Sequence, residues 1–414
     1  MTQMSSMLAP YRVLDLADER GILCGKILAD LGADVIKIEK PGGDDARNLG
    51  PFYQDEPHVE KSLFWFAMNS GKRSITLNLE TDDGRDLFRR LAAKADFTIE
   101  SFAPGYMGNL GIGYNSLAYL NPRLIMVSIS PFGQSGPYKD WKGPDIIEWA
   151  LGGEMAPWGD PDRPPFRISH HSQAYMHAGA DAAAGALMAL QHRYRIGEGQ
   201  HVDVSIQDSV SRCSDNIIPA WDLDGILRKR GEDARGGNHR ATRIWRCKDG
   251  YVSWAHGGNS RLTPSLPLVR WMEEEGFRDE FLERFDWDRP NFNETTQEEM
   301  DRIEAPTARF FLERTKAQLF EGAVTHGVML YPVATTADML ENVQLKERAF
   351  WLQLEHAALG GRFTYPGSFV RATETPVRIR AAAPKVGEHN LQVYESELHI
   401  DRQQILLLKQ AGII

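Results

Sequence analysis

Two adjacent histidines precede a stretch of unusually small residues, and this junction is the first place where the sequence suggests chemistry. The polar run 168–173 contains His170 and His171, and it leads into the alanine- and glycine-rich segment 178–190. That segment predicts a buried helix that a second backbone or a ligand approaches closely. A polar lead-in is typical of a helix N-terminus whose free N–H groups bind an anion. An ordinary core helix with a polar lead-in explains the same pattern.

Basic side chains suggest a ligand of their own. Six of them fall on or near loops that follow β-rich runs: Lys40, Arg47, Lys72, Arg73, Lys139 and Lys142. Each one alone is explained as well by a solvated surface charge. The formal net charge is −10, so an anionic ligand needs a local basic patch, and the six together favour a polyphosphate ligand.

Hydrophobic periodicity places these loops on a parallel sheet. Residues 11–16, 22–31 and 33–38 predict a strand, a helix and a strand, which is a βαβ unit with a right-handed crossover. The turn between the first strand and the helix has no G-x-G-x-x-G, so a dinucleotide is not the expected ligand.

The loops after further buried strands complete the predicted binding edge. In doubly wound sheets, ligands bind outside the carboxyl ends of the strands. The first-choice binding loops are therefore 40–47, 102–110 and 132–145, and Phe102 opens the second of them. Residues 362–370 and 375–379 predict two strands near the end of the chain, and 401–410 predicts a helix.

Composition narrows the class of protein. The chain has 414 residues, 42% hydrophobic and 25% charged, as in ordinary globular proteins. The apolar runs are too short to span a bilayer, and no leader opens the chain, so we expect a cytoplasmic protein. The three cysteines lack metal-ligand spacing, which predicts no metal site, and the acidic balance disfavours a nucleic-acid partner.

Eight segments spread over nearly the whole chain carry a family resemblance. They are RVLDLADERG, ILADLGADVIKIEKPGGD, NSGKRSITLNLETDDGR, IESFAPGYMGNLGIGY, NPRLIMVSISPFGQSGP, LQHRYRIGEGQHVDVSIQDS, GVMLYPVATTADMLENVQLKERAFW and VGEHNLQVYESEL. Together they resemble the family III CoA-transferases of the CaiB/BaiF type. The resemblance implies an α/β fold with a Rossmann-like large domain from both chain ends and a smaller α+β domain. It also implies an interlocked, ring-shaped dimer.

The family fold predicts three stretches along the chain: 1–222 in the large domain, 223–325 in the small domain with its linkers, and 326–414 returning to the large domain. The resemblance implies that coenzyme A or an acyl-CoA is the substrate, lying over the large-domain loops. The predicted contacts are Lys40, Lys72, Arg73, Phe102, Asn109, Leu110 and Lys142. A family member has an adenine-stacking arginine at the position of Asn109, so this contact is expected to be weaker or different here.

The family's nucleophile is the main departure. Relatives carry an attacking aspartate in a motif that resembles P-x-x-D-x-x-x-G-x-x-x-x-x-G-I-L-A-A-L, and that carboxylate forms a mixed anhydride and then an enzyme thioester. Aligning residues 185–190 with the end of this motif puts Tyr175 at the aspartate, or Ala174 with a one-residue gap. A phenol with a pKa near ~10 cannot replace a carboxylate in this chemistry. The sequence therefore predicts no catalytic residue of the family type.

Three functions fit a CoA-binding frame without that aspartate. The first is a non-catalytic subunit whose sister subunit carries the aspartate, in a heterodimer or heterotetramer. The second is an acyl-CoA isomerase or racemase, in which His170, His171 or His177 moves the α-proton. The racemase motif pairs a histidine with an aspartate, but here the matching place reads Pro144-Asp145. The third is a CoA-binding scaffold protein.

Each of two further positions has two possible functions. Asp145 lies at a strand-loop edge near the expected thioester, so it is a secondary nucleophile candidate or a residue that orients a substrate or a loop. Gly236-Gly237 lies where relatives have a glycine-rich loop, so it is a lid over the site or a plain interdomain turn.

Overall fold

The computed structural model describes residues 6–159, 162–167, 169, 171–214, 217–227, 230, 239–258, 264–289, 291–356 and 359–414. The chain divides into two compact units. The large unit comprises Met1–Met155, Arg167–Asp215 and Lys346–Ile414, and the small unit comprises Ala156–Phe166 and Asn216–Leu345. Both chain ends therefore build the large unit. Residues 326–345, assigned to the returning part from the sequence, cluster with the small unit.

A six-stranded parallel sheet forms the centre of the large unit, in the order β3-β2-β1-β4-β5-β6. Its strands are β1 (Arg12–Asp15), β2 (Asp34–Glu39), β3 (Arg73–Thr76), β4 (Phe97–Glu100), β5 (Ile125–Ser130) and β6 (His201–Ser205). Every residue of β4 and β5 is buried, as expected when helices cover both faces of a parallel sheet. The order reverses between β1 and β4, so the predicted doubly wound fold is confirmed.

Helices and short turns surround this sheet. The α-helices of the large unit are α1 (Ile22–Asp30), α2 (Leu63–Asn69), α3 (Asp82–Ala92), α4 (Tyr106–Asn109), α5 (Tyr114–Leu120), α6 (Asp145–Leu151), α7 (Gln173–Ile196), α8 (Ile206–Ser211) and α16 (Arg402–Gln410). Its other helical turns are Asp45–Asn48, Tyr53–Asp55, Arg212–Ser214 and Gln392–Glu397.

The small residues of α7 explain its position in the core. Ala178, Ala182 and Ala186 are fully buried, and the helix packs on α1. A Cβ atom added at Gly179 would lie 2.8 Å from the Cβ of Leu23 on α1, so only glycine permits this approach. The sequence prediction of a buried helix with a close neighbour is confirmed.

The small unit combines an antiparallel sheet with helices. Its strands β7 (Ile244–Cys247), β8 (Gly250–Ser253) and β9 (Tyr331–Pro332) pair in that order. Its helices are α9 (Ile217–Asp224), α10 (Leu266–Glu274), α11 (Glu280–Arg284), α12 (Gln297–Leu312), α13 (Lys316–His326) and α14 (Thr336–Glu341), with a short turn at Phe292–Glu294. Helix α15 (Val343–Glu347) crosses the boundary between the units.

The C-terminal strands differ in part from their prediction. The structure forms an antiparallel hairpin from β10 (Trp351–His356) and β11 (Gly361–Pro366). The strand predicted at 375–379 is wrong, because these residues are irregular. The chain after this hairpin instead contacts the sheet through Tyr394, whose hydroxyl donates a hydrogen bond to the Thr76 carbonyl at 2.7 Å.

Candidate functional site

The carboxyl ends of β1, β2 and β3 border a cavity of about 570 Å³, which we call the loop cavity. The loop cavity is lined by residues that directly follow these strands and by residues of the loop after β4. Among them are Leu16, Asp18, Lys40, Leu77, Phe102 and Tyr106. This is the edge of the sheet at which the fold places ligands. The volume is in the range of small-molecule and cofactor sites.

One wall of the loop cavity is aromatic. The ring centroids of Phe102 and Tyr106 lie 4.6 Å apart, with the rings tilted by 37°. The Tyr106 hydroxyl donates a hydrogen bond to Glu80, which fixes its ring at the rim. Burial, followed by the nearby Glu80 carboxylate, raises the pKa of Tyr106 to about 12. A fixed pair of rings offers a flat apolar surface for a base or another planar group.

The acidic residues along the loop cavity are mostly neutralised. Glu39 binds the buried Arg47 at 2.6 Å, and Asp44 binds Lys37 at 2.8 Å. Lys40 reaches Asp45 at 2.7 Å, but its side chain remains 61% exposed. This exposed ammonium at the rim can therefore exchange its partner for a phosphate at small cost.

Lys72 lies inside the large unit and away from the lining of the loop cavity. Its ammonium donates to Asp15 at 2.8 Å and to the Ile22 carbonyl at 3.1 Å, and neither side chain of the ion pair is exposed. Burial lowers the pKa of Lys72, and the Asp15 carboxylate opposes this shift. Arg47 is likewise a buried base with a carboxylate partner, and its guanidinium stacks 3.8 Å from the centre of the Trp65 ring.

The other basic residues divide by location. Arg73 begins β3 at the amino-terminal edge of the sheet, where it binds Asp34 at 2.7 Å. Lys139 and Lys142 are exposed in the loop after β5. The sequence did not predict the directions of these side chains, because carboxylates of the large unit bind Arg47, Lys72 and Arg73.

The two remaining predicted contacts end helix α4. Asn109 is exposed, and its backbone N–H donates to the Gly105 carbonyl at 2.9 Å. Leu110 is half-buried and packs against the core of the sheet. Neither residue is part of the lining of the loop cavity.

A second polar group lies where α6 and α7 begin, and we call Asp145, Glu148 and Tyr175 the helix-start cluster. The backbone N–H of Asp145 donates to the Tyr175 hydroxyl at 3.1 Å, and the Ala174 N–H donates to Oδ1 of Asp145 at 2.9 Å. Tyr175 and Asp145 are only 5% and 4% exposed. These reciprocal hydrogen bonds hold the first turns of two helices together.

Burial dominates the electrostatics of the helix-start cluster. It raises the pKa of Tyr175 to about 12, and the Glu19 carboxylate adds to this shift. It also raises the pKa of Asp145, opposed first by the Ala174 N–H and then by Arg167. Tyr175 therefore remains a neutral phenol near pH 7.

Glu148 is the least satisfied member of the helix-start cluster. Its side chain is fully buried, and neither carboxyl oxygen has a hydrogen-bond partner among the described residues. Burial, then the neighbouring Asp145, raises the pKa of Glu148 to about 8. The sequence analysis missed this residue, although an acidic residue three positions after Asp145 in an apolar helix was a visible signal.

The predicted anion site at the start of α7 already has an anion. The carboxylate of Asp145 accepts the N–H of Ala174 within the first turn of this helix, where the helix dipole favours negative charge. The Asp145 carboxylate therefore contacts the first turn of α7, and both roles predicted for it from the sequence stay predictions.

Of the three histidines named from the sequence, the described part of the chain includes His171 and His177, which make separate contacts. His171 is exposed, and its backbone N–H donates to the Ser169 hydroxyl at 3.1 Å. His177 meets the edge of Trp149 and lies 3.8 Å from the Cys213 sulfur. His170 and Gly236-Gly237, named from the sequence, lie outside the described residues.

Comparison with known proteins identifies the family. The model of CoA-transferase family III matches residues 8–390, and the chain belongs to this family. The chain is 35% identical to the succinyl-CoA:(R)-benzylsuccinate CoA-transferase subunit BbsE of Thauera aromatica, over 92% of both chains. It is 30% identical to the succinyl-CoA–L-malate CoA-transferase beta subunit of Chloroflexus aurantiacus, over 98% of both.

A solved structure shares the same fold. The crystal structure of a CAIB/BAIF family protein from Brucella suis superposes with a TM-score of 0.81 at 29% identity, covering 95% of this chain and 99% of that one. In the described ranges, no helix is long and apolar enough to cross a bilayer. The same ranges contain no group of three or more His, Cys, Asp or Glu side chains placed to hold a metal ion.

Proposed function

We propose that this chain is the non-catalytic subunit of a cytoplasmic family III CoA-transferase that moves CoA from succinyl-CoA to a carboxylic acid such as (R)-benzylsuccinate. The acceptor class comes from the name of the Thauera relative, and the subunit role from two relatives named as subunits. The observation that carries the proposal is the buried Tyr175 phenol, hydrogen-bonded by Asp145, at the position matched to the family's aspartate.

In this proposal the chain binds the nucleotide of CoA. The loop cavity accepts the adenosine against Phe102 and Tyr106, with Lys40 at the rim for a phosphate. Asn109, Leu110 and Lys142 lie on the loops that would continue the contact. Lys72 and Arg73 stabilise the frame through their ion pairs rather than binding the ligand directly.

The sister subunit supplies the chemistry. Thioester exchange in this family needs a desolvated carboxylate that attacks the acyl-CoA carbonyl, and a covalent relay then divides one difficult step into two. A phenol with a pKa of about 12 is neutral near pH 7, so Tyr175 forms no acyl anhydride. We therefore place acyl exchange on the aspartate of the partner, within an interlocked, ring-shaped heteromer.

The test is mass spectrometry of the purified chain after incubation with succinyl-CoA. We expect CoA to bind, but no acyl or CoA adduct on the peptides that contain Asp145, Glu148 or Tyr175. Co-expression with an aspartate-bearing sister subunit should give transferase activity, with the adduct on the sister only. Any adduct on this chain, or transfer by this chain alone, would overturn the proposal.

Two other outcomes would change the assignment. Exchange of the α-proton of an acyl-CoA for deuterium by the chain alone would favour an isomerase or racemase. Binding of CoA without activity in the presence of any aspartate-bearing relative from the same host would favour a scaffold role.

A further inference from the structure

A second cavity, of about 340 Å³, lies beside the loop after β4. Glu100, Ser128 and His201, from the three neighbouring strands β4, β5 and β6, contribute to its lining. Their strand positions put them on one face of the sheet, with Glu100 paired in register with Ser128. No residue of this trio belongs to the loop cavity or to the helix-start cluster.

The three side chains form a line. The Ser128 hydroxyl lies 2.9 Å from Nε2 of His201, and Ser128 is also the register partner of Glu100, whose pKa its hydroxyl lowers. The ring of Tyr114 stacks on the imidazole, with centroids 5.4 Å apart. The serine is in the middle of the line, so this is not the arrangement of a Ser-His-Asp triad, in which histidine bridges the other two.

The line ends at the wall of the loop cavity. Oε2 of Glu100 accepts a hydrogen bond from the backbone N–H of Phe102 at 2.7 Å. The Phe102 ring, with Tyr106, forms the aromatic wall described above. Glu100 itself is 4% exposed, so its contact with Phe102 is shielded from bulk water.

Glu100 can change charge in the neutral pH range. Burial raises its pKa to about 7, opposed by the Ser128 hydroxyl and then by the Phe102 N–H. The charged groups that face it are Asp18 and Arg20 on the turn after β1. His201 lies at the far end of the line, where burial lowers its pKa and the Asp203 carboxylate opposes this shift. Because the second cavity reaches this line, protons from solvent can reach Glu100.

The two charge states of Glu100 hold Phe102 differently. The carboxylate is a strong acceptor for the Phe102 N–H, and charge-assisted hydrogen bonds are about twice as strong as neutral ones. The protonated acid is a neutral and therefore weaker acceptor for this N–H, so protonation weakens the hold on Phe102.

We propose that Glu100 is a positioning residue for CoA binding, whose carboxylate fixes the Phe102 backbone so that the aromatic wall of the loop cavity is ready for the nucleotide. This inference rests on the proposed function, in that it places CoA in the loop cavity. Glu100 acts through Phe102 and touches no substrate.

The experiment compares the dissociation constants of CoA for the wild type and Glu100→Gln by calorimetry at about pH 6 and about pH 8. Glutamine resembles the protonated acid, so we expect about five-fold weaker binding by the variant at about pH 8 and values within about two-fold at about pH 6. At each pH the dissociation constant of the variant is divided by that of the wild type, so the effect of titrating the CoA phosphates cancels. Asp86→Asn, on the exposed surface of α3, removes the same charge and should leave both ratios at one.

Thermal unfolding checks that Glu100→Gln is folded, and Ser128→Ala gives an independent measurement. Loss of the serine donor raises the pKa of Glu100, so the pH at which CoA binding weakens should move upward. The positioning role alone is overturned if the ratio of dissociation constants for Glu100→Gln and the wild type is the same at both pH values. It is also overturned if Ser128→Ala does not shift the pH at which CoA binding weakens. Absence of CoA binding by the wild type at both pH values overturns the proposed function, and this inference with it.

Discussion

The loop cavity and the helix-start cluster follow opposite designs. The loop cavity is open, has a flat aromatic wall, and keeps an exposed lysine at its rim. The helix-start cluster is closed, and its Tyr175 hydroxyl and Asp145 carboxylate each accept a backbone N–H from the other helix. In the proposed function, one region retains space and charge for a ligand, whereas the other holds Tyr175 at the position matched to the family's aspartate.

This difference suggests that binding and chemistry can be lost separately on one scaffold. Ligand binding depends on loops at the carboxyl edge of the sheet, whose backbone is set by the fold. Acyl exchange depends on one carboxylate at one helix position. A chain can therefore lose the second and keep the first, and the remaining helix start is then free to become a stabilising contact.

The largest expected effect separates two lysines that the sequence could not distinguish. Lys72→Met leaves Asp15 buried without its partner, which should lower the free energy of unfolding by about 3–5 kcal/mol. Lys40→Met breaks only an exposed pair, so stability should change by less than about 1 kcal/mol while CoA binding weakens several-fold. Urea unfolding and calorimetry with CoA measure both effects.

A matched loss of stability in the two variants would break the comparison, because Lys40 would then be part of the frame. Unchanged CoA affinity in Lys40→Met would remove the loop cavity as the phosphate-binding region. Raising the salt concentration should weaken binding by the wild type more than by Lys40→Met.

The lysines also show what the sequence could and could not predict. The strands of the parallel sheet follow from hydrophobic periodicity, because a buried strand must be apolar along its length. The partner of Lys72 is Asp15, 57 positions away. Such a contact depends on how helices and strands pack, which a local pattern does not contain. The burial of Glu148 without a hydrogen-bond partner among the described residues also depends on packing, so the sequence did not predict it.

The second prediction concerns the pH dependence of stability. The raised pKa of Glu148 means that between about pH 4.5 and about pH 8 the folded chain binds more protons than the unfolded chain. Stability from this group is therefore present at low pH and is lost as pH rises through that range. We expect the free energy of unfolding of the wild type to fall by about 2 kcal/mol between about pH 5 and about pH 8, and Glu148→Gln to abolish this loss.

Chemical denaturation at several pH values measures this change. The exposed Glu283→Gln is a suitable control, because removing a solvated carboxylate from helix α11 should leave the pH profile as it is in the wild type. A Glu148→Gln profile parallel to that of the wild type would show that Glu148 is solvated or paired, and that the helix-start cluster is less closed than described.

The smallest expected effect tests the contact between the two helices. Tyr175→Phe keeps the buried ring but leaves the Asp145 N–H without its acceptor, which should lower the free energy of unfolding by about 1 kcal/mol. CoA affinity should be unchanged, since the loop cavity is lined by other residues. A loss of CoA binding in this variant would show that the two regions are energetically coupled, contrary to the separation argued here.

Gly179 sets the spacing on which both regions depend. Helix α1 follows the turn that contains Asp18 of the loop cavity, and it rests on α7 only a few residues after Tyr175. Any side chain at 179 would act as a wedge between these helices. A single added methyl group, about one helical turn from Tyr175, would therefore misalign both at once.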